Sequence, residues 1–168
     1  MNTNKLFGSL IYLVVSIFIL TSSLKAQTPA NFSGNWELDK TKSKLTEPEA
    51  SYPGNRILHI SQTSSMLIMS STYTQPGNAD FNTSNDTLNL EGKVKFEKIY
   101  DQTLTITITW SKDKKILTYK NSSKSNSSGS AIVMLSYKLS DDKQTLTVEM
   151  YGKNKVREIK LTEVYSKK

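Results

Sequence analysis

Beyond residue 30 the hydrophobic and polar positions alternate with a period of two and almost never with the period of a helix. Residues 103–110, TLTITITW, are the plainest case: Leu104, Ile106, Ile108 and Trp110 fall on one face, and Thr103, Thr105, Thr107 and Thr109 on the other. β-Branched threonines suit a pleated surface, and their hydroxyls tolerate water. One dry face and one wet face predict a strand of an antiparallel sheet that packs on one side. Similar runs occupy 35–40, 56–62, 65–73, 86–99, 114–120, 130–139, 144–151 and 155–165, and the run at 86–99 breaks in two at Glu91-Gly92-Lys93. Turn formers such as Pro53-Gly54-Asn55 and Gly152-Lys153-Asn154 separate them. The pattern predicts nine or ten strands and two true loops, Thr41–Pro53 and the polar, low-complexity NSSKSNSSGS at 121–130. SKDKKILTY at 111–119 aligns with SDDKQTLTV at 140–148, which we read as recurring turn chemistry because the rest of the chain does not repeat.

Many short antiparallel strands have two main solutions, a closed up-and-down barrel and a two-sheet sandwich. Closure removes exposed strand edges, which otherwise need protection. The alternation alone does not choose between them.

The N-terminus changes the picture of where such a domain works. Lys5 precedes an apolar run, Leu10 to Leu20, interrupted only by Ser16, and TSSLKA then ends on the small Ala26. That is the layout of a signal peptide cleaved before Gln27. The run is short for a bilayer helix, which needs roughly 20 apolar residues. The expectation is a signal peptide over 1–26 and one domain over 27–168, secreted or periplasmic. A lipoprotein would need a cysteine at the cleavage point, and the 168-residue chain contains none. Disulfides, thiolate nucleophiles and cysteine-bound zinc are thereby excluded. Lys5 and Lys25 are the only charges in 1–26, so cleavage takes the net charge from +7 to +5. The lysines are scattered over turns and strand faces, so nucleic acid is not an expected partner, nor is stable membrane insertion of the mature chain.

The opening of the folded part, FSGNWELDKTKS at 32–43, resembles the start of lipocalin-like (calycin) barrels, and in particular small secreted bacterial proteins that begin F-S-G-x-W-x-L-x-x-x-K-S after a signal peptide. YKLSDDKQTLTVEM at 137–150 is similar to their late-strand pattern. The resemblance covers residues 31–165. It implies an all-β, antiparallel up-and-down barrel of about 8–10 strands, with the two-sheet sandwich as the alternative. It implies that Gly34 turns the chain into the first strand and that Trp36 plugs one end. The lipocalin pattern also packs a late basic residue over the Trp. Antiparallel closure would put the end of the last strand, near Tyr165, beside strand one, so Arg157 falls toward the opposite rim and does not match it.

Arg157, Ile159 and Leu161 share one parity in the last run, so an inward Arg157 among apolar neighbours could anchor an acidic headgroup. Equally, Arg157 beside the Gly152–Asn154 turn could extend to water. Tyr73, Tyr100, Tyr119 and Tyr137, with Met66, Met69 and Met134, could line an adaptable pocket, although such residues more often serve as ordinary core or sheet surface. His59 is the single histidine, and its parity opposes Leu58 and Ile60, which points it to solvent. No metal-ligand spacing, nucleophile elbow or phosphate-binding glycine loop is present, so no metal, no cofactor and no enzymatic reaction are expected. Two roles remain. One is a container for a small apolar or amphipathic ligand; the other is a non-enzymatic surface or structural module with a filled interior. An interior cavity of roughly 300 Å³ or more favours the first.

Overall fold

The computed structural model describes residues 27–47, 50–51, 54–74, 76–83, 85–125 and 129–168, and the expected signal segment 1–26 lies outside them. The strands are β1 (Gly34–Leu38), β2 (Arg56–Gln62), β3 (Met66–Tyr73), β4 (Phe81–Asn82), β5 (Asp86–Asn89), β6 (Lys95–Ile99), β7 (Gln102–Trp110), β8 (Ile116–Ser125), β9 (Gly129–Leu139), β10 (Thr145–Lys153) and β11 (Glu158–Lys167). All pair antiparallel in one sheet of order β4-β3-β2-β1-β11-β10-β9-β8-β7-β6, with β5 also on β3. Among the described residues eleven strands replace the expected 8–10, the addition being the two-residue β4, too short to show a period. The chain forms one sheet, not the two of a sandwich. Nor does the ladder close as a full barrel: no described pairing joins β4 or β5 to β6.

Direct partners in an antiparallel ladder share a face, so the registers identify the inward side. Trp36 and Leu38 lie beside Leu58, Lys167 and Tyr165, and the same face continues through Leu146, Tyr137 and Leu117. These apolar residues form the buried core, joined by Phe32, Ile60 and Leu67. The alternation in the sequence is thus the inside and outside of one curved sheet.

The segment before β1 closes one end. Phe32 stacks on Trp110, with centroids 5.9 Å apart, and tilts against Tyr137 at 6.2 Å. Gln62 at the end of β2 accepts from the Phe32 amide and donates to the Ala30 carbonyl, each at 2.9 Å, while the Ala30 amide donates to the Lys114 carbonyl at 2.9 Å. Residues 30–32 therefore tie β2 to the β7–β8 turn across the sheet's end. Trp36 donates its indole N–H to the Phe32 carbonyl at 2.8 Å, and the Lys167 ammonium sits 5.5 Å from the ring centroid. A late basic residue does cover this Trp, and it is not Arg157. It is Lys167, one residue from the chain's end. Gly34 has φ +145°, a region disfavoured for side-chain-bearing residues, and this demands the glycine; a Cβ there would meet nothing closer than 3.5 Å.

The 29-residue self-similarity is a repeated turn. Ser111 bonds Asp113 and Ser140 bonds Asp142 through their side chains, and Lys114 and Lys143 take φ of 56° and 58°. The amides of Ile116 and Thr145 donate to the same two serine hydroxyls at 2.9 Å. Hydrogen bonds from Ser111 and from Ser140, in the first place, hold the Asp113 and Asp142 carboxyls below their ordinary pKa; in the β1–β2 connection, Thr41 and then Lys42 hold Asp39 at about 2. An unfolded chain protonates such carboxylates first as pH falls, so the stability they contribute is present above about pH 4 and disappears toward pH 2. Replacing Asp39, Asp113 and Asp142 together by Asn should flatten the melting temperature between about pH 5 and pH 2. An unchanged slope would assign acid sensitivity to other groups.

One expected loop is ordered strand. Residues 121–125 extend β8 and 129–130 begin β9, paired from Asn121↔Val133 to Ser125↔Gly129; residues 126–128 lie outside the described residues. Backbone ladder bonds need no apolar side chain, so a hairpin anchored at Leu117 and Tyr119 extends through serines. Ser125 is buried, and its hydroxyl donates to Asp101 at 2.7 Å.

Candidate functional site

The two arms of the sheet face each other across a cavity of about 600 Å³. Met66, Met69 and Leu88 contribute from β3 and β5, and Ile106, Ile108, Tyr119, Leu135 and Tyr137 from β7, β8 and β9. Alternation placed most of these groups: Leu88 lies opposite the buried Leu67, and Ile108↔Tyr119↔Leu135 are direct cross-strand neighbours on the inner face, while Met66 has the other parity at the strand's end. Polar residues gather on one margin, Asp86 and Asn89 from β5 with Lys93 and Lys95 leading into β6. Among the described residues those strands have unpaired outer edges, so the polar margin coincides with the break in the ladder. Lys93 pairs with Glu91 at 2.8 Å and Lys95 with Glu97. The Tyr137 hydroxyl is pushed well above its ordinary pKa by burial, then by the nearby Glu163 and Asp86 charges, so it remains a neutral donor.

An ionic cluster lies on the same face, outside the cavity lining. Arg56 on β2 pairs with Glu163 on β11, with side chains 13% and 16% exposed. Tyr165 donates to Glu163 at 2.8 Å, Arg56 donates to the Tyr73 hydroxyl at 3.3 Å, and the guanidinium carbon lies 5.6 and 5.8 Å from the Tyr165 and Tyr73 ring centroids. Burial by itself would lower the Arg56 pKa, but coupling to Tyr165 and Glu163 outweighs it and raises it. Tyr165 is raised first by burial and then by Glu163. The Arg56 Nε is buried with no hydrogen-bond partner among the described residues. The cluster therefore consists of one cation already matched by one anion, with two phenols and a spare N–H.

Of the residues expected to bind ligand, Tyr119 and Tyr137 line the cavity. Ile159 and Leu161 are half-buried on β11, on the same face as Tyr165, but do not line it. Arg157 is exposed and lies outside β11, in a turn where its amide donates to the Asn154 side chain at 2.9 Å and its carbonyl accepts from the Asn154 amide at 3.0 Å. The asparagine-led turn ends the strand parity on which an inward Arg157 depended. The inward arginine of this chain is Arg56. Its signal was present: Arg56 shares parity with Leu58 and Ile60, as Glu163 does with Leu161 and Tyr165. Gly34 and Trp36 stand at the closed end described above. His59 bridges Asn35 at 2.9 Å and Thr72 at 2.7 Å on the outer face. Among the described residues no group of three or more His, Asp or Glu side chains is placed to hold a metal.

No protein-family model matches the chain, and no curated protein matches it. Among solved structures, a protein titled REP1-NXSQ fatty acid transporter is similar to it with a TM-score of 0.47 and 14% identity, over 81% of this chain and 95% of that one. A likeness of this degree assigns neither ligand nor family.

Proposed function

We propose that the protein is an exported, non-enzymatic container, in which the rolled sheet acts as a lipocalin-like barrel around a small apolar or amphipathic molecule. The single observation that carries this reading is the cavity of about 600 Å³ with an apolar wall and one polar margin. Binding sites for small ligands have this character, typically about 300–1,000 Å³ with few polar groups. A structural module with a filled interior would leave no such space. Arg56 is already neutralised by Glu163, so the interior offers no spare positive charge to a carboxylate. The favoured ligand is an uncharged amphiphile whose polar end meets Tyr137, Tyr119 or the margin near Asp86 and Asn89.

Native mass spectrometry of protein purified from its own host tests export and ligand together. The expected result is an N-terminus at Gln27 and a non-covalent adduct of a small apolar molecule. In vitro, an uncharged fluorescent probe should bind the wild type, and Leu135→Trp, which projects a bulkier ring into the cavity, should weaken binding by about tenfold or more while leaving the fold intact. Failure of the wild type to bind any apolar probe would sink the reading, as would equal binding by Leu135→Trp.

A further inference from the structure

The β6–β7 and β10–β11 turns stand on the rim opposite Trp36, on either side of the ends of β8 and β9, because Gln102 pairs with Ser125, Ser125 with Gly129, and Ile132 with Lys153. Both turns carry apolar side chains at their tips. Tyr100 is 95% exposed and Val156 is 90% exposed, while Phe96, on the outer face of β6, is 71% exposed. Tyr100 also has φ of 54°, a conformation that a bulky residue adopts at a cost and that glycine or asparagine would adopt more cheaply. Between the turns, on the outer face, is a groove of about 750 Å³ whose walls include Thr103, Thr105, Ser122, Lys124, Ile132 and Lys155. Lys98, Lys124, Lys155 and Arg157 have no ion-pair partner among the described residues, whereas Lys153 and Lys160 share Glu158 at 3.2 and 2.9 Å. Five cations at this rim (Lys98, Lys124, Lys153, Lys155 and Arg157) thus face two carboxylates, Asp101 and Glu158.

We propose that this rim seats the protein on an anionic lipid bilayer, with Tyr100 and Val156 inserted among the headgroups and Lys124 and Lys155 holding lipid phosphates over the groove. Charge complementarity and the shape of the apolar groups both point to lipid. Tyrosine suits the boundary between water and hydrocarbon, and basic residues beside apolar tips are the composition of peripheral membrane binding. A soluble polyanion would engage the lysines but leave Tyr100 and Val156 in water. A protein groove would recess apolar groups, and here they protrude. The proposal concerns the outer face and rim, and it stands or falls independently of what the interior cavity holds.

The chain has no cysteine, so single Cys substitutions of Tyr100, Val156 or Asp141 can each carry an environment-sensitive fluorophore. Asp141 lies in the β9–β10 turn on the opposite rim and serves as the reference position. Phosphatidylglycerol vesicles should shift the emission at 100 and 156 to the blue and brominated acyl chains should quench it, with no change at 141. High salt should reverse the shift, and phosphatidylcholine vesicles should not produce it. Joint replacement Lys124→Gln and Lys155→Gln should raise the lipid concentration for half-maximal binding by about tenfold or more, with an unchanged urea midpoint. An equal response at 100 and 141, as attachment through the apolar residues 10–20 would produce, overturns the proposal. So does no response, or a response to dextran sulfate equal to that on vesicles, which would make the rim a soluble-polyanion site.

Discussion

Truncation of Trp36 to alanine destabilises the fold by about 3–5 kcal/mol. The indole is 1% exposed, so its removal leaves a void that the surrounding strands cannot refill without breaking register. It also removes the donor to the Phe32 carbonyl and the ring beneath Lys167. Because residues 30–32 tie β2 to the β7–β8 turn, the loss spreads from one side chain to the whole closed end. Trp36→Phe retains most of the buried area but leaves the Phe32 carbonyl without its donor, and should cost about 1–3 kcal/mol. Urea denaturation followed by circular dichroism measures both. A Trp36→Ala midpoint equal to that of the wild type would remove Trp36 as the plug. If Trp36→Ala does not fold, the ranking rests on Trp36→Phe.

The second large effect concerns the inner ion pair. Arg56→Met leaves the Glu163 carboxylate on the inner face without its cation, and removing one partner of this largely buried pair costs up to about 3–5 kcal/mol. Glu163→Gln has the mirror consequence for the guanidinium, although the amide oxygen can still accept from Tyr165. With Arg56→Met and Glu163→Gln combined, no charge is left unmatched. The double variant should therefore be more stable than Arg56→Met alone, and a double-mutant cycle should show strong coupling. Losses that simply add would mean that the two groups do not depend on each other. Such a pair would also be no obstacle to a carboxylate ligand, and the preference for uncharged amphiphiles would go with it.

Most of the secondary structure was legible because the longer strands advertise one dry face. The run at 56–62 coincides with β2, and those at 103–110 and 130–139 each match their strands to within a residue. Repeated Ser-Asp turns at 111 and 140 were equally legible, since their chemistry is local and depends on side chains within five residues. The serine-rich 121–130 stretch misled for the opposite reason: its strands are held by backbone bonds to neighbours that composition does not register. The candidate site was half legible. Tyr119 and Tyr137 sit on strand runs and do line the cavity, while the pattern leaves Arg157 open between an inward anchor and a residue of the Gly152–Asn154 turn, and it lies in that turn.

The sequence by itself determined an all-strand, antiparallel chain with an aromatic opening segment, because period-two alternation and turn chemistry act over a few residues. Only the tertiary structure decided which strands neighbour one another, that the ladder stays open between β5 and β6, and that Arg56 meets Glu163 across β1. It also decided that Lys167 covers Trp36 and that a cavity remains between the arms. Residues more than 100 positions apart, such as Arg56 and Glu163, have no shared local pattern. Their meeting follows from register and sheet curvature, which arise from all the pairings together.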